Sequence, residues 1–551
     1  MKRFALLISA LTLPAPALAD TLIDNVNGIQ VGADGKIHRF TMLLFDERTG
    51  RIIRTYGDPD GRVEPINILH TERIDGKGRT LLPGLIDAHG HVMPLGFGAL
   101  QLDLTGTNSL ADLQQRLRAY AAANPDARWI VGRGWNQELW AEKRFPTAAD
   151  LDAVVSDRPV WLGRVDGHAA VANSAAMKAA GVAAATQSPA GGRIENGLFV
   201  DAAMNLVEAK IPPPTPAQRE QALAKAQELM LAVGLTGAAD MGTSAEDWKV
   251  MQRAAESGKL QTRIMAYSAG LEAMPGKPTA WLAGDRLRMG GVKLYADGAL
   301  GSRGAWLKQP YADKPETRGL QFLTDAQMRD QAGRAAAAGF QLAIHAIGDA
   351  GNAQVISTYE ALGKTYSGDR RWRIEHVQVV APFDIQRIAK AGIIASMQPT
   401  HQTSDDNMAG ARLGEARLKG AYAWKTIAAT GAHLAFGSDF PVESPNPFPG
   451  LAAAISRQDP QGQPPGGWRP EERVTLDQAL AGFTREAAYA GFAEDRLGSL
   501  DPGKWADFII VDRDISASSP TDLAATQVLE TWVAGKKVWR RPASAPAERG
   551  K

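Results

Sequence analysis

Between residues 235 and 439 the chain repeats one unit: a short apolar run, a loop with polar residues, then an alanine-rich stretch of helical character. The runs are Leu235–Met241, Arg263–Ser268, Gly291–Ala296, Gln341–His345, Trp372–His376, Ile393–Gln398 and His433–Asp439, and Leu81–Asp87 lies upstream. Stretches such as Pro216–Val233, Asp325–Ala338 and Pro382–Ala391 supply the helices between. Continuous apolar strands alternating with helices describe a parallel sheet covered on both faces. Eight such units are what a (β/α)8 barrel needs, and its active site gathers at the C-terminal strand ends. A doubly wound open sheet is the competing topology.

The gap between the first two strands is far too long for a normal crossover. Residues 98–215 are therefore expected as an insertion or lid, with Trp129, Trp135, Trp140 and Trp161 as core rather than substrate platform. The barrel would take residues 81–97 and 216–490. Short strands and turns at both ends, 20–80 and 491–545, suggest one small β-sandwich domain assembled from both termini. At the start, Lys2 and Arg3 precede an apolar run from Phe4 to Leu13 and the small-x-small triplet Ala17-Leu18-Ala19. That is a secretory signal, cleaved after Ala19, and it predicts a periplasmic or secreted protein. The run is too short for a permanent membrane anchor, and no later segment reaches ~18 apolar residues. With Lys+Arg at 61 against Asp+Glu at 60, charge argues against nucleic acid as a partner. The expected partner is a small molecule, with self-association into a homo-oligomer left open. No cysteine is present, which excludes disulfides, thiolate metal sites and a thiol nucleophile.

Nine histidines remain to be placed. His89 and His91 close the first strand, and residues i and i+2 of a strand point the same way. His345 ends the fifth strand, His376 the sixth, and Asp439 the eighth. Neutral imidazoles with a carboxylate suit Zn²⁺, Mn²⁺, Fe²⁺ or Co²⁺. His38, His70 and His433 fall away from the expected mouth. Lys293 sits inside the fourth apolar run, where an unpaired ammonium is costly. Either it pairs with an acid such as Asp297, or burial frees its amine to add carbon dioxide, giving a carbamate able to bridge two cations.

These stretches resemble the amidohydrolase superfamily, in the family-3 branch that includes N-substituted formamide deformylases. The resemblance is carried by Leu82-Pro83-Gly84-Leu85-Ile86-Asp87-Ala88-His89-Gly90-His91, Asp166-Gly167-His168 and Val292-Lys293-Leu294-Tyr295-Ala296-Asp297-Gly298. It continues in Ile344-His345-Ala346-Ile347-Gly348-Asp349, Arg373-Ile374-Glu375-His376, Met397-Gln398-Pro399-Thr400-His401 and Gly437-Ser438-Asp439-Phe440-Pro441-Val442-Glu443. The turn Gly498 to Asp507 matches the superfamily's return into the small β domain. The resemblance implies a metal-dependent hydrolase on a distorted barrel. It implies one or two divalent ions, zinc foremost: His89 and His91 on one, His345 and His376 on the other. Lys293 would bridge as a carbamate made from carbon dioxide, and Asp439 would bind metal and handle the proton.

The chemistry expected is metal-activated water attacking a carbonyl carbon, with Asp439 accepting the water proton and passing it to a leaving nitrogen. His168, Tyr295, Asp297, Arg303 and His401 are the candidate substrate-binding residues, with structural hydrogen bonding as the competing role. Asp349 is expected to orient a ligand from behind. Hydrolysis of a non-peptide C–N bond leads; an ester, lactone or carbamate hydrolase, or an isomerase, fits the same fold. A serine hydrolase is disfavoured because no Gly-x-Ser-x-Gly elbow is present. A non-catalytic binding protein would be expected to lose the ligand positions, which are all occupied.

Overall fold

A computed structural model describes residues 20–57, 71–164, 169–183, 185–189, 192–201 and 203–542. The expected signal segment, His70 and His168 lie outside the described residues. The chain divides into two compact units, one of 1–91, 228–248 and 255–551, the other of 92–227 and 249–254.

The first unit contains an eight-stranded parallel sheet. Its strands, in order around the sheet, are β1 (Leu85–Gly90), β2 (Leu235–Thr243), β3 (Arg263–Ala269), β4 (Leu287–Tyr295), β5 (Gln341–Ala346), β6 (Arg373–His376), β7 (Ile394–Met397) and β8 (Leu434–Phe436). Each of the eight apolar runs contributes a strand to this sheet. Most of their residues are buried, as a barrel lined inside and covered outside requires. The two edge strands approach just past their ends: Asp439 N–H donates to His89 O at 2.7 Å, and His91 N–H to Phe440 O at 2.8 Å. Gly437 permits this closure, since a Cβ there would fall on the Asp87 carboxylate and the His89 amide. The sheet is therefore a nearly closed barrel.

One boundary differs from the sequence expectation. The run Leu81–Asp87 is two strands: Thr80–Pro83 belongs to another sheet and only Leu85 onward to the barrel. That other sheet runs Lys536–Arg540, Val528–Val533, Phe508–Val511, Thr80–Pro83, Asn27–Val31, Ile37–Phe40, so both ends of the chain interleave. A four-stranded sheet, Arg51–Tyr56, Met42–Asp46, Asp20–Asp24, Thr71–Asp75, faces it. Their shared core includes Ile23, Leu43, Phe45, Phe508 and Trp532. Apolar alternation cannot separate Thr80–Pro83 from β1, because both strands are buried throughout.

The second unit is an α/β body with a six-stranded sheet of its own. Trp135 and Trp140 are fully buried in its core, each with its indole N–H on a carbonyl, Leu162 O at 2.7 Å and Thr107 O at 2.9 Å. Trp161 and Trp129 pack in a second cluster. The unit begins at Val92, earlier than 98, because helix Val92–Leu100 packs against helix Pro216–Ala232: a Cβ on Gly96 would meet the Ala222 carbonyl. Among the described residues no helix is long and apolar enough to cross a membrane.

Candidate metal centre

The site is built at the C-terminal ends of the barrel strands. His89 is the penultimate residue of β1, Lys293 lies two before the end of β4, His345 one before the end of β5, and His376 ends β6. Asp439 follows β8 by three residues. One ligand atom each from His89, His376 and Asp439 lies within 4.8 Å of the others. The remaining members adjoin. His91 Nε2 is 3.0 Å and His89 Nε2 3.4 Å from Asp439 Oδ1. Lys293 Nζ is 3.3 Å from His89 Nε2. The His345 ring centroid is 4.5 Å from that of His376.

Two of these residues sit in backbone conformations that L side chains rarely adopt: His376 has φ +78° and Asp439 φ +62°. In a regular strand Glu375 and His376 would point to opposite faces. The left-handed turn at His376 breaks that alternation, so both side chains reach His89. Such backbone costs about 1–3 kcal/mol per residue and is retained where surroundings enforce it.

The enforcing groups are buried and polar. Glu375 Oε2 accepts from His89 Nδ1 at 2.6 Å, which turns Nε2 of His89 toward the site. Arg373 grips Glu375 at 2.7 and 3.0 Å, and also reaches Ala88 O, Ser396 Oγ and Tyr267 Oη. Tyr267 Oη donates to Gln341 Oε1 at 2.6 Å, extending the chain of bonds along the barrel interior. His376 Nδ1 stands 2.9 Å from Gln398 Oε1, an acceptor, so its Nε2 is the free lone pair. Asp87 accepts from His89 N, Ser438 N and Ser438 Oγ and ties β1 to the loop carrying Asp439. Sequence reasoning assigned none of these supporting roles. The alternation Arg373-x-Glu375 was the available signal.

Charge states follow from burial. Burial lowers His89 to about 4 and His345 to about 3, each helped by the nearby Lys293 charge, and it holds His376 well below the usual histidine value. These imidazoles are neutral near pH 7, as metal ligands must be. Burial opposes ionisation of Asp439, but His89, His91 and His401 around it win and hold it below the usual carboxylate range. Burial lowers Lys293 to about 8. His345 Nε2 is buried without a hydrogen-bond partner. An orphaned imidazole nitrogen beside neutral histidines and an ionised carboxylate fits a divalent cation.

The candidate substrate residues divide. Tyr295 is 43% exposed, its ring 5.5 Å from that of His345. His401 is buried, stacked 5.9 Å from His376. Asp297 is not available to substrate: it is fully enclosed, and its oxygens accept from Trp306, Ile347 and Gly348 amides at 2.8–2.9 Å. Arg303 is taken up by Asp313 at 2.8 and 3.2 Å. Asp349 accepts from the Lys308 amide and so anchors a loop instead of a histidine. His433 pairs with Glu486 and His38 with Asp34, both outside the cluster.

The family model described as amidohydrolase family matches residues 72–539. The chain is 33% identical to Protein LONG AFTER FAR-RED 3 of Arabidopsis thaliana, over 97% of this chain and 94% of that one. It is 31% identical to the putative amidohydrolase YtcJ of Bacillus subtilis (strain 168), covering 91% and 98%. It is 28% identical to the N-substituted formamide deformylase of Arthrobacter pascens, covering 86% and 91%. A crystal structure of an uncharacterized metal-dependent hydrolase from Pyrococcus furiosus superposes with TM-score 0.75 at 28% identity, covering 91% and 100%.

Proposed function

Because the chain belongs to the amidohydrolase family, we propose that this hydrolase cleaves a non-peptide C–N bond of a small molecule: an amide, formamide, N-acyl group or cyclic amide. The observation that carries the reading is the convergence of His89, His376 and Asp439 within 4.8 Å, with neutral imidazoles facing an ionised carboxylate. The N-substituted formamide deformylase among the relatives supports the bond class. His89, His376 and Asp439 would hold one ion, which takes His376 from the pairing with His345 that the family resemblance implied; His91, His345 and Lys293 would contribute to a second. When bound, the metal lowers the pKa of water and polarises a carbonyl. Asp439 accepts a proton from water as the new C–O bond forms, then delivers it to nitrogen as the C–N bond breaks. The products are a carboxylic acid and an amine. Lys293, lowered to about 8 by burial, adds carbon dioxide as the neutral amine and releases a proton, leaving a carbamate. The reading includes export after Ala19, in which case the mature chain begins at Asp20.

The test is metal per chain, measured on protein expressed with zinc and bicarbonate. About two ions per chain, falling in Lys293→Ala, is the expected result. About one, indifferent to Lys293→Ala, makes the site mononuclear and removes the carbamate. None after supplementation overturns the metal hydrolase reading. In parallel, Asp439→Asn is expected to lower turnover by roughly 10²–10⁴-fold on any amide the wild type cleaves; full turnover in that variant would remove Asp439 as the proton carrier.

A further inference from the structure

His401 lies in the first turn of helix Pro399–Leu413, which begins two residues after β7. Its side chain is buried against the cluster, yet the bonds it makes differ from those of His89 and His376. Those two rings meet acceptors at Nδ1, Glu375 Oε2 and Gln398 Oε1, and so present a lone pair at Nε2. His401 Nδ1 instead meets Gln378 Nε2 at 3.0 Å. An amide nitrogen only donates, so Nδ1 must accept, and the proton of the neutral ring sits on Nε2. Gln378 follows β6 by two residues, and its main-chain carbonyl accepts from the Tyr422 amide, which fixes the backbone that carries it.

That Nε2–H has no partner among the described residues and is buried. Asp439 Oδ2 is 3.6 Å away, beyond hydrogen-bond length. The two Asp439 oxygens are thus divided: Oδ1 faces His89 and His91, and Oδ2 faces His401. A donor kept buried and unsatisfied beside a proton acceptor is costly unless a ligand completes it. Water deprotonated by Asp439 would attack a carbonyl held beside that carboxylate, on the side where Asp439 Oδ2 faces His401 Nε2.

We propose that His401 is a catalytic hydrogen-bond donor to the carbonyl oxygen of the scissile group, set in its donor form by Gln378, and is not a metal ligand. The inference rests on the C–N hydrolase reading for its substrate. The charge growing on the oxygen during attack strengthens the bond, so the effect falls on kcat more than on KM.

The test uses the zinc-loaded full chain. Nitrogen-15 histidine spectra, with the His401 signals identified by their loss in His401→Ala, are expected to show a protonated Nε2 and a bare Nδ1. Zinc per chain is expected to be the same in wild type and His401→Ala. With N-methylformamide and a panel of N-substituted formamides as probes, His401→Ala is expected to lose roughly 10²–10³-fold in kcat with KM changed less than about threefold. His401→Gln, which retains an N–H, is expected to recover part of that loss. A proton on Nδ1, loss of zinc in His401→Ala, or unchanged kcat would each overturn the proposal. Should the zinc-loaded wild type cleave no member of the panel while the spectra show protonated Nε2, the bond class falls and the donor form of His401 stands.

Discussion

Glu375 links the barrel interior to the candidate ligands: one oxygen holds His89, and both hold Arg373. Burial alone would raise its pKa, but the Arg373 charge and the His89 bond keep it well below the usual carboxylate range. Glu375→Gln removes that charge while preserving volume. Arg373 is then buried without a carboxylate, which is expected to cost about 3–5 kcal/mol of folding stability. Loss of a charged acceptor for His89 is expected to weaken metal binding roughly 10–100-fold. Urea unfolding of the metal-free protein and competition against a chromogenic chelator separate the two effects. Unchanged zinc affinity would show that the Glu375 contact does not orient a ligand. The candidate ligand positions were legible in the sequence because a histidine or aspartate at a strand end needs only the strand to be placed. Glu375 was not, because His89 comes from another strand, as do the Tyr267 and Ser396 partners of the Arg373 that grips it, and all meet only in the closed barrel. Asp297 and Arg303 have partners that the sequence hid as well. A polar residue after a strand reads as a mouth residue whichever way its loop turns, and here Asp297 is taken up by the Trp306, Ile347 and Gly348 amides and Arg303 by Asp313.

At the scale of elements, eight strand positions were readable as apolar runs, whereas the junction between Pro83 and Leu85 and the backbone reversals at His376 and Asp439 were not. Periodicity reports burial, and burial does not change across either feature. Caps are a different kind of local information, since their chemistry lies within a few residues. Helix Ala148–Asp152 starts at Thr147, whose hydroxyl accepts from the Asp150 amide while the Asp150 carboxylate accepts from the Thr147 amide. Arg144 binds the same carboxylate at 2.7 and 2.9 Å. The Arg144 bond, with the Thr147 contacts, lowers Asp150 from 3.8 to about 2. A carboxylate with a depressed folded pKa contributes stability that is present above its unfolded value and lost as pH falls through the folded one. The stability difference between wild type and Asp150→Asn is therefore expected to be constant above about pH 4 and to shrink as pH falls toward 2. Denaturant melts of the two proteins at stepped pH check this, and a difference that grows on acidification would contradict the assignment. Thr147→Ala is expected to cost about 1 kcal/mol at neutral pH in the same assay.

For the whole molecule, the candidate ligands are distributed so that metal binding bears on barrel closure. His89 belongs to β1 and Asp439 follows β8, the two edge strands of the sheet, and His376 comes from β6 between them in sheet order. Closure otherwise depends on few bonds near these residues: Asp439 N to His89 O, His91 N to Phe440 O, and the Asp87 carboxylate on Ser438. An ion held by His89 and Asp439 would span the seam. A ligand that binds only the folded state stabilises it by mass action, about 4 kcal/mol at a free concentration 1,000 times Kd. The benefit should be local before it is global, because proteins open in units rather than uniformly. Removing metal with a chelator is therefore expected to speed amide exchange in Leu85–Gly90 and in residues 434–440. The sheet of the second unit, with its own buried core around Leu113, Trp135 and Trp140, is expected to keep its protection. Hydrogen exchange read by mass spectrometry with and without chelator measures both segments in one experiment. Equal loss of protection in the two units would mean that the ion stabilises the chain as one cooperative body. Loss confined to the seam would identify the metal as the clasp that closes the barrel.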